Sequence, residues 1–252
     1  MSRIALVTGA TSGIGKAVAF ALASENIDLI ITGRRKELLS VTASEIKQKN
    51  GVNVLPLVFD IRDYAQVSES ITKLPSQWKE VDILINNAGL AVGLNSVDSG
   101  VLDDWERMID TNIKGLLYIS RIVSEKMRER GCGHIINVGS IAGKSVYPAG
   151  NVYCATKHAV DALSKGMLMD LYPYNIKVSQ ICPGAVETEF SEVRFKGDKA
   201  KAASVYKGFT PLSAEDVADV IRYMVTAPPH VNIADIVIMP TSQASPTLIK
   251  KE

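Results

Sequence analysis

The chain has 252 residues, 46% of them hydrophobic and 22% charged, a mix that excludes disorder and collagen-like repeats and supplies a core without disulfides or metal. Twenty-eight basic against 27 acidic residues leave a net charge of +1, which removes the electrostatic ground for a nucleic acid or an anionic membrane as partner. Three cysteines, Cys132, Cys154 and Cys182, contain no CxxC pair and fit a reducing compartment without a zinc site. No apolar run reaches the roughly 18 residues of a membrane span, and the opening MSRIALVTGA has no signal-type stretch, so the expected location is the cytoplasm.

Short β-rich runs alternate with longer helical ones. Strands are predicted over 4–8, 28–32, 53–59, 81–86, 134–138, 175–181 and 233–239. Helices are predicted over 13–25, 36–49, 64–74, 152–171 and 214–226, with one long helical region from 103 to 130. The strand segments LIIT, DILIN, HIINV and DIVIM read as apolar on both faces, which fits a sheet covered on both sides. Alternation with helices then favours an α/β fold with a parallel, doubly wound sheet. No linker or repeat divides residues 1–252, which are expected to form one domain. Residues 184–210 lack periodicity, and a stretch of that length reads as a functional loop or lid. Thr241–Glu252 fits a solvent tail and a subunit contact equally.

The first strand runs into Thr8-Gly9-Ala10-Thr11-Ser12-Gly13-Ile14-Gly15. Glycines at this spacing permit a tight turn, let backbone approach a phosphate, and let the helix pack close to the sheet. The helix start offers free N–H groups to a pyrophosphate, and the hydroxyls of Thr8, Thr11 and Ser12 are further candidate donors. About 20 residues beyond such a turn, dinucleotide folds place an acidic residue for the adenosine ribose. Here Gly33 is followed by Arg34 and Arg35. Guanidinium groups suit a 2′-phosphate, which a carboxylate would repel, so the pattern favours NADP(H). Asp60, at the end of the third strand, is read as an acceptor for the adenine amino group or as the cap of the following helix.

Tyr153 and Lys157 stand four apart in Tyr-Cys-Ala-Thr-Lys and share one helical face. A phenol with a pKa of about 10 is a poor acid–base group at neutral pH, and a neighbouring ammonium favours the phenolate. Cys154 points about 100° away from Tyr153 and is not expected to act as a nucleophile. Ser140, in Asn-Val-Gly-Ser, follows the fifth strand; Asn86-Asn87-Ala88-Gly89 ends the fourth and Pro183-Gly184 the sixth. All fall at strand carboxyl ends, where doubly wound sheets bind ligands. His134, His158 and His230 are scattered and read as structural.

This set resembles the short-chain dehydrogenase/reductase family over essentially the whole length: TGATSGIG, NNAG, a helical Asn112, Ser140, the Tyr153/Lys157 pair and the PG motif occur in the family's order and spacing. The resemblance implies a Rossmann-like fold with strand order 3-2-1-4-5-6-7 and a homotetramer or dimer. It implies a catalytic tetrad of Asn112, Ser140, Tyr153 and Lys157, with Tyr153 moving the proton and Ser140 holding the substrate oxygen. Lys157 would lower the tyrosine pKa and bind the nicotinamide ribose, and Asn112 would hold a water leading to solvent. The implied NADP(H) site takes in Thr8, Gly9, Thr11, Ser12, Gly13, Ile14 and Gly15; Arg34, Arg35, Asp60 and Ile61; Asn87, Ala88 and Gly89; and Tyr153, Lys157, Pro183, Gly184, Val186 and Thr188.

The segments NNAGLAVG, DDWERMIDTNIKGLLY, GNVYCATK, TEFSEVRFKGD and PPHVNI look like the 3-hydroxy acid dehydrogenase subgroup, which includes NADP-dependent serine and allo-threonine dehydrogenases. That implies a small hydroxy acid (L-serine, L-allo-threonine, 3-hydroxypropionate) or a 3-oxo acid such as malonic semialdehyde. A carboxylate then needs a cation, and Arg194, before Lys196, is the candidate. The alternative is that Val193-Arg194-Phe195 packs at a subunit contact while Lys196 is solvated. Competing functions are a carbonyl reductase of neutral ketones or diketones and a non-catalytic NADP(H) sensor, which would not need all four tetrad groups. A nucleotide-sugar epimerase fits the glycine spacing poorly.

Overall fold

The computed structural model describes residues 2–252. Seven strands form one parallel sheet: β1 (Ile4–Val7), β2 (Asp28–Gly33), β3 (Val54–Val58), β4 (Ile83–Asn86), β5 (Gly133–Val138), β6 (Ile176–Pro183) and β7 (Asp235–Ile238), in the order β3-β2-β1-β4-β5-β6-β7. Strand pleating sends successive residues to opposite faces. Ala5 and Val7 join Ile83 and Ile85 on one side, with Leu22, Leu39, Ile46, Val217 and Ile221 of helices α1 (Gly13–Ala23), α2 (Lys36–Asn50) and α9 (Ala214–Thr226). Ile4, Leu6 and Leu84 face the other way, onto Val67, Ile119, Val123 and Met127 of α3 (Tyr64–Thr72) and α5 (Leu116–Arg130). The expected doubly wound α/β architecture and strand order are the observed ones.

The last strand departs from the reading of DIVIM as covered on both faces. β7 is an edge strand in which Ile236 and Ile238 pack on the core while Val237 is 48% exposed. β7 pairs only with β6, and its face carrying Asp235 and Val237 is left exposed.

The long helical region predicted from 103 to 130 is two helices. Helix α4 (Leu102–Ile109) passes through a π-helical turn, Asp110–Gly115, before α5. Such turns change the facing of the residues inside them and recur at functional sites. Gly115 lies so close to Ile61 that an added Cβ would come within 2.9 Å of its Cγ2.

The stretch 184–210 is more ordered than its lack of periodicity implied. It contains α7 (Phe190–Arg194) and α8 (Lys199–Ser204), and Val186 bridges Leu212 as an isolated parallel pair. The remaining long helix is α6 (Asn151–Leu171). The C-terminal segment folds back on its own chain: Ala244 N–H donates to Leu248 O, Lys250 N–H to Ser242 O and Glu252 N–H to Gly208 O.

Candidate active site

The carboxyl ends of β1, β2, β4, β5 and β6 open into one cavity of about 570 Å³. Its floor begins at the glycine turn. Gly9 and Gly13 adopt φ of +67° and +53°, the left-handed region that favours glycine. A Cβ on Gly15 would sit 2.3 Å from Asn87 Nδ2 and 2.4 Å from Gly9 O, so only glycine lets α1 start this close to β4. Gly9, Thr11, Ser12, Gly13, Ile14 and Gly15 all line the cavity.

Thr8 does not. It is fully buried; its hydroxyl donates to Ile85 O at 3.2 Å and accepts the N–H groups of Asn87 and Ala88 at 3.0 and 2.9 Å. The sequence reading gave it a place at the phosphate, but its hydrogen bonds are consumed in tying β1 to the NNAG turn. That turn is clamped further by Asn87 Nδ2, which donates to Thr8 O at 2.8 Å. Asn87, Ala88 and Gly89 line the cavity.

Arg34 and Arg35 flank the same opening. Arg35 Nη2 donates to the hydroxyls of Thr11 and Ser12 at 2.8 and 2.7 Å, and Nη1 to Glu189 Oε2 at 3.0 Å. Arg34 Nη1 lies 3.8 Å from Asp60 Oδ2. Asp60 is chiefly held by Arg62, whose Nε and Nη2 reach its carboxylate at 3.0 and 2.6 Å. Burial opposes ionisation there, yet the Arg62 bonds and the Arg34 charge bring the carboxyl below the usual range. Asp60 does not cap the helix that follows: Asp63 does, accepting Ala65 and Gln66 N–H. Asp63 stands at the N-cap position, where its extended backbone aims the carboxylate at those donors. Asp60 and Ile61 line the cavity wall.

At the other end lie Ser140, Tyr153 and Lys157. Ser140 caps the single turn after β5 through Ala142 N–H, at 3.1 Å. Lys157 is 7% exposed, and Nζ donates to Val138 O at 2.9 Å; burial lowers its pKa to about 8. Burial also pushes the Tyr153 phenol above its ordinary value, with Tyr147 adding to the rise, while a hydrogen bond from Ser140 and the charge of Arg194 pull it down. Ser140 and then Arg194 supply the downward pull on the phenol in this structure. Asn112 does not line the cavity. From the π-turn its Oδ1 accepts Leu90 N–H at 2.8 Å and its Nδ2 donates to Leu90 O and Thr156 Oγ1 at 2.9 and 3.0 Å. Both amide donors are thus committed to holding the Leu90 loop against α6, which leaves one lone pair on Oδ1 for a water.

Arg194 comes into the cavity instead of packing outward. Its guanidinium carbon lies 5.2 Å from the Tyr153 ring centre and 5.5 Å from that of Tyr147, and Nη2 hydrogen-bonds the Tyr147 hydroxyl. Its Nε is buried without a protein partner. Lys196 is neither in the cavity nor merely solvated: Nζ pairs with Asp104 Oδ2 at 2.7 Å. Pro183, Gly184, Val186 and Thr188 complete the expected lining.

Several wall residues had no sequence signal. Tyr147, Leu90 and Phe190 form an apolar block beside Tyr153, the Phe190 ring centre 5.8 Å from that of Tyr153. Gln243, Pro246 and Ile249 arrive from the C-terminal fold-back. Gln243 is buried and accepts Ala185 N–H at 2.8 Å. No periodicity or spacing marks a residue brought to a site only by chain reversal.

The remaining titratable candidates have structural settings. Cys154 is buried and its thiol is pushed up by burial. His134 is held near pKa 3 by burial and by Lys177 and Arg3, with Nε2 against Ser179 Oγ at 2.8 Å. Among the described residues no three His, Cys, Asp or Glu side chains gather as a metal site, and no helix is long and apolar enough to cross a membrane.

Comparison with known proteins gives this geometry a family. The NADP-dependent 3-hydroxy acid dehydrogenase YdfG of Salmonella typhi is 45% identical over 242 residues, 96% of each chain. Sulfoacetaldehyde reductase 2 of Chromohalobacter salexigens is 44% identical, covering 97% of this chain and 96% of its own. The closed form of a serine dehydrogenase complexed with NADP+ superposes with a TM-score of 0.92 at 43% identity, covering 99% of both chains. The model of the short chain dehydrogenase family matches residues 3–199, the span from β1 to the start of α8 that holds the glycine turn, Ser140, Tyr153 and Lys157, and the chain accordingly belongs to that family.

Proposed function

We propose that this protein is an NADP(H)-dependent oxidoreductase of small 3-hydroxy acids and the matching 3-oxo acids, with Arg194 gripping the acid group. The carrying observation is Arg194 itself: a guanidinium on the cavity wall, 5.2 Å from the Tyr153 ring centre, with Nε buried and unpartnered. A buried donor without an acceptor is unfavourable, and an anionic group bound beside Tyr153 would satisfy it. The relatives' substrates (3-hydroxy acids, serine, sulfoacetaldehyde) share an acid group close to the reacting carbon, which supports the same reading.

The residues present fit NADP(H). The glycine turn provides a cradle that a Cβ at Gly15 would fill, and Arg34 and Arg35 offer cations at the adenosine end for a 2′-phosphate. The bound nicotinamide supplies or accepts the hydride. The side chains do the rest. Tyr153 exchanges a proton with the substrate oxygen, Ser140 hydrogen-bonds that oxygen and stabilises its developing charge, and Lys157 places an ammonium at the carboxyl end of β5. Asn112 holds the wall at Leu90.

The apolar block of Leu90, Tyr147 and Phe190 favours a second reading, reduction of neutral ketones. One set of assays separates the two. NADP+ and NAD+ are offered with L-serine, L-allo-threonine and 3-hydroxypropionate, and NADPH with malonic semialdehyde and neutral diketones, for the wild type, Y153F and R194M. NADP+ reduction by a hydroxy acid, lost in Y153F and weakened in R194M about 10–150-fold in kcat/KM, is the expected result. Turnover of neutral ketones alone would replace the acid substrate with the second reading. Tight NADPH binding without turnover of any carbonyl would leave a sensor.

A further inference from the structure

We infer that Asp104 is a positioning residue that sets the preference for acid substrates, because it latches the segment carrying Arg194. The inference rests on the reading that Arg194 binds the substrate's acid group. Asp104 lies in the first turn of α4 with its side chain 5% exposed. It lines no part of the cavity. A carboxylate this buried requires a cationic partner. Arg107, on the same helix, comes no closer than 3.9 Å. The close partner is Lys196, whose Nζ sits 2.7 Å from Oδ2 as an ion pair; the oxygen accepts no aligned hydrogen bond. Lys196 belongs to the lid, two residues beyond Arg194.

Backbone geometry around the pair is specialised for it. Lys196 adopts φ +53° and Gly197 φ +90°, a left-handed pair that a lysine rarely enters. Arg194 O accepts Gly93 N–H at 3.0 Å. Gly93 has φ +73°, and a Cβ there would lie 2.8 Å from Asp104 Oδ2. The loop through Gly93, helix α4 and the lid thus converge on one carboxylate. The lid is tied at Arg194 through its own carbonyl and again two residues on through Lys196. Lifting the lid would take the Lys196 ammonium from 2.7 Å away and leave Asp104 with only Arg107 at 3.9 Å, so the ion pair favours the seated position, in which Arg194 lies against Tyr153 and Tyr147. Asp104 touches the substrate only through this chain of contacts.

The test compares 3-hydroxypropionate with its neutral methyl ester for the wild type, D104N, K196M, K196R, R194M and D104N/R194M. D104N and K196M are expected to raise KM for the acid about tenfold while leaving kcat and the ester's KM within about twofold. K196R, which keeps the charge, restores the acid's KM. D104N adds nothing in the R194M background. Independently of activity, trypsin cleaves D104N faster at Lys196 and Lys199, below the melting temperature of both proteins. Equal losses on acid and ester, or additive effects of D104N and R194M, would reduce Asp104 to a structural residue and overturn the inference. An unchanged acid KM in R194M overturns the acid-site reading and the preference built on it, and wild-type trypsin resistance in D104N overturns the latch. The two failures are therefore distinguishable.

Discussion

The guanidinium of Arg194 lies 5.2 Å from the ring centre of Tyr153, and its charge opposes the rise that burial imposes on the phenol. Removing that charge lets the phenol climb further. With the phenolate as the proposed base for oxidation, the rising limb of the pH–rate profile for R194M is expected to move to higher pH. The same variant is expected to lose the proposed charge-assisted grip on acid substrates. Comparing log kcat against pH for wild type and R194M with a neutral alcohol isolates the first effect. A limb that stays in place would show that the two groups are not coupled.

Lys157 carries a stability cost that comes from its burial. Burial lowers its pKa from 10.5 to about 8, so below pH 8 the folded state holds a desolvated ammonium. Between pH 8 and 10.5 the unfolded chain binds more protons than the folded one, and this group's contribution to stability rises with pH. Replacing Lys157 with methionine removes the cost. K157M is expected to lose activity yet gain stability on the order of 1–3 kcal/mol at pH 7, partly offset by the loss of the bond to Val138 O. The gain fades as pH rises through 8 to 10.5. Urea unfolding at several pH values checks the sign; a constant difference across the range would contradict it.

Arg35 and Glu189 meet across the mouth of the cavity, 154 residues apart in the chain, at 3.0 Å. A 2′-phosphate at Arg35 competes with that carboxylate. R35A should raise the Kd for NADP+ by about 10–150-fold and leave that for NAD+ nearly unchanged. E189Q should tighten NADP+ binding a few-fold, an exposed ion pair being worth about 0.2–1 kcal/mol. Fluorescence titration with both dinucleotides measures each, and weaker NADP+ binding by E189Q would show that the carboxylate assists the arginine instead.

Gln243 links the C-terminal fold-back to the Pro183-Gly184 turn. Its Oε1 accepts Ala185 N–H, and its Nε2 donates to Ser245 O at 3.1 Å. A Cβ on Gly184 would fall 2.3 Å from Oε1. Q243L leaves the Ala185 N–H without its acceptor, which is expected to destabilise the protein by about 1–3 kcal/mol. G184A is expected to disrupt the turn through the clash. Thermal melts of both should show lower transition temperatures than the wild type, and an unchanged melt of Q243L would mean that water replaces the amide.

Residue spacing alone determined much of this protein. Alternating apolar strands and helices specified the doubly wound sheet, since each strand had to be covered and each connection had to cross over. Glycine spacing and the two arginines after β2 located the cofactor end of the cavity, because local backbone geometry is a property of near neighbours, and the family resemblance of the motif set marked Ser140, Tyr153 and Lys157 at the other end. Tertiary structure decided the rest. Thr8 had the right residue type, yet the structure commits its hydroxyl to the wall, and Asn112 commits both amide donors there and keeps one Oδ1 lone pair for a water. Asp63 took the cap that Asp60 was a candidate for, through one turn of backbone geometry. The long helical region expected over 103–130 is interrupted by a π-turn that no hydrophobic period reveals. Arg194, Lys196, Asp104 and Gln243 meet their partners across segments with no local pattern of their own. Whether a charge faces solvent, a buried carboxylate or a ring depends on which distant segment folds over it, and that follows from packing and desolvation in the folded chain.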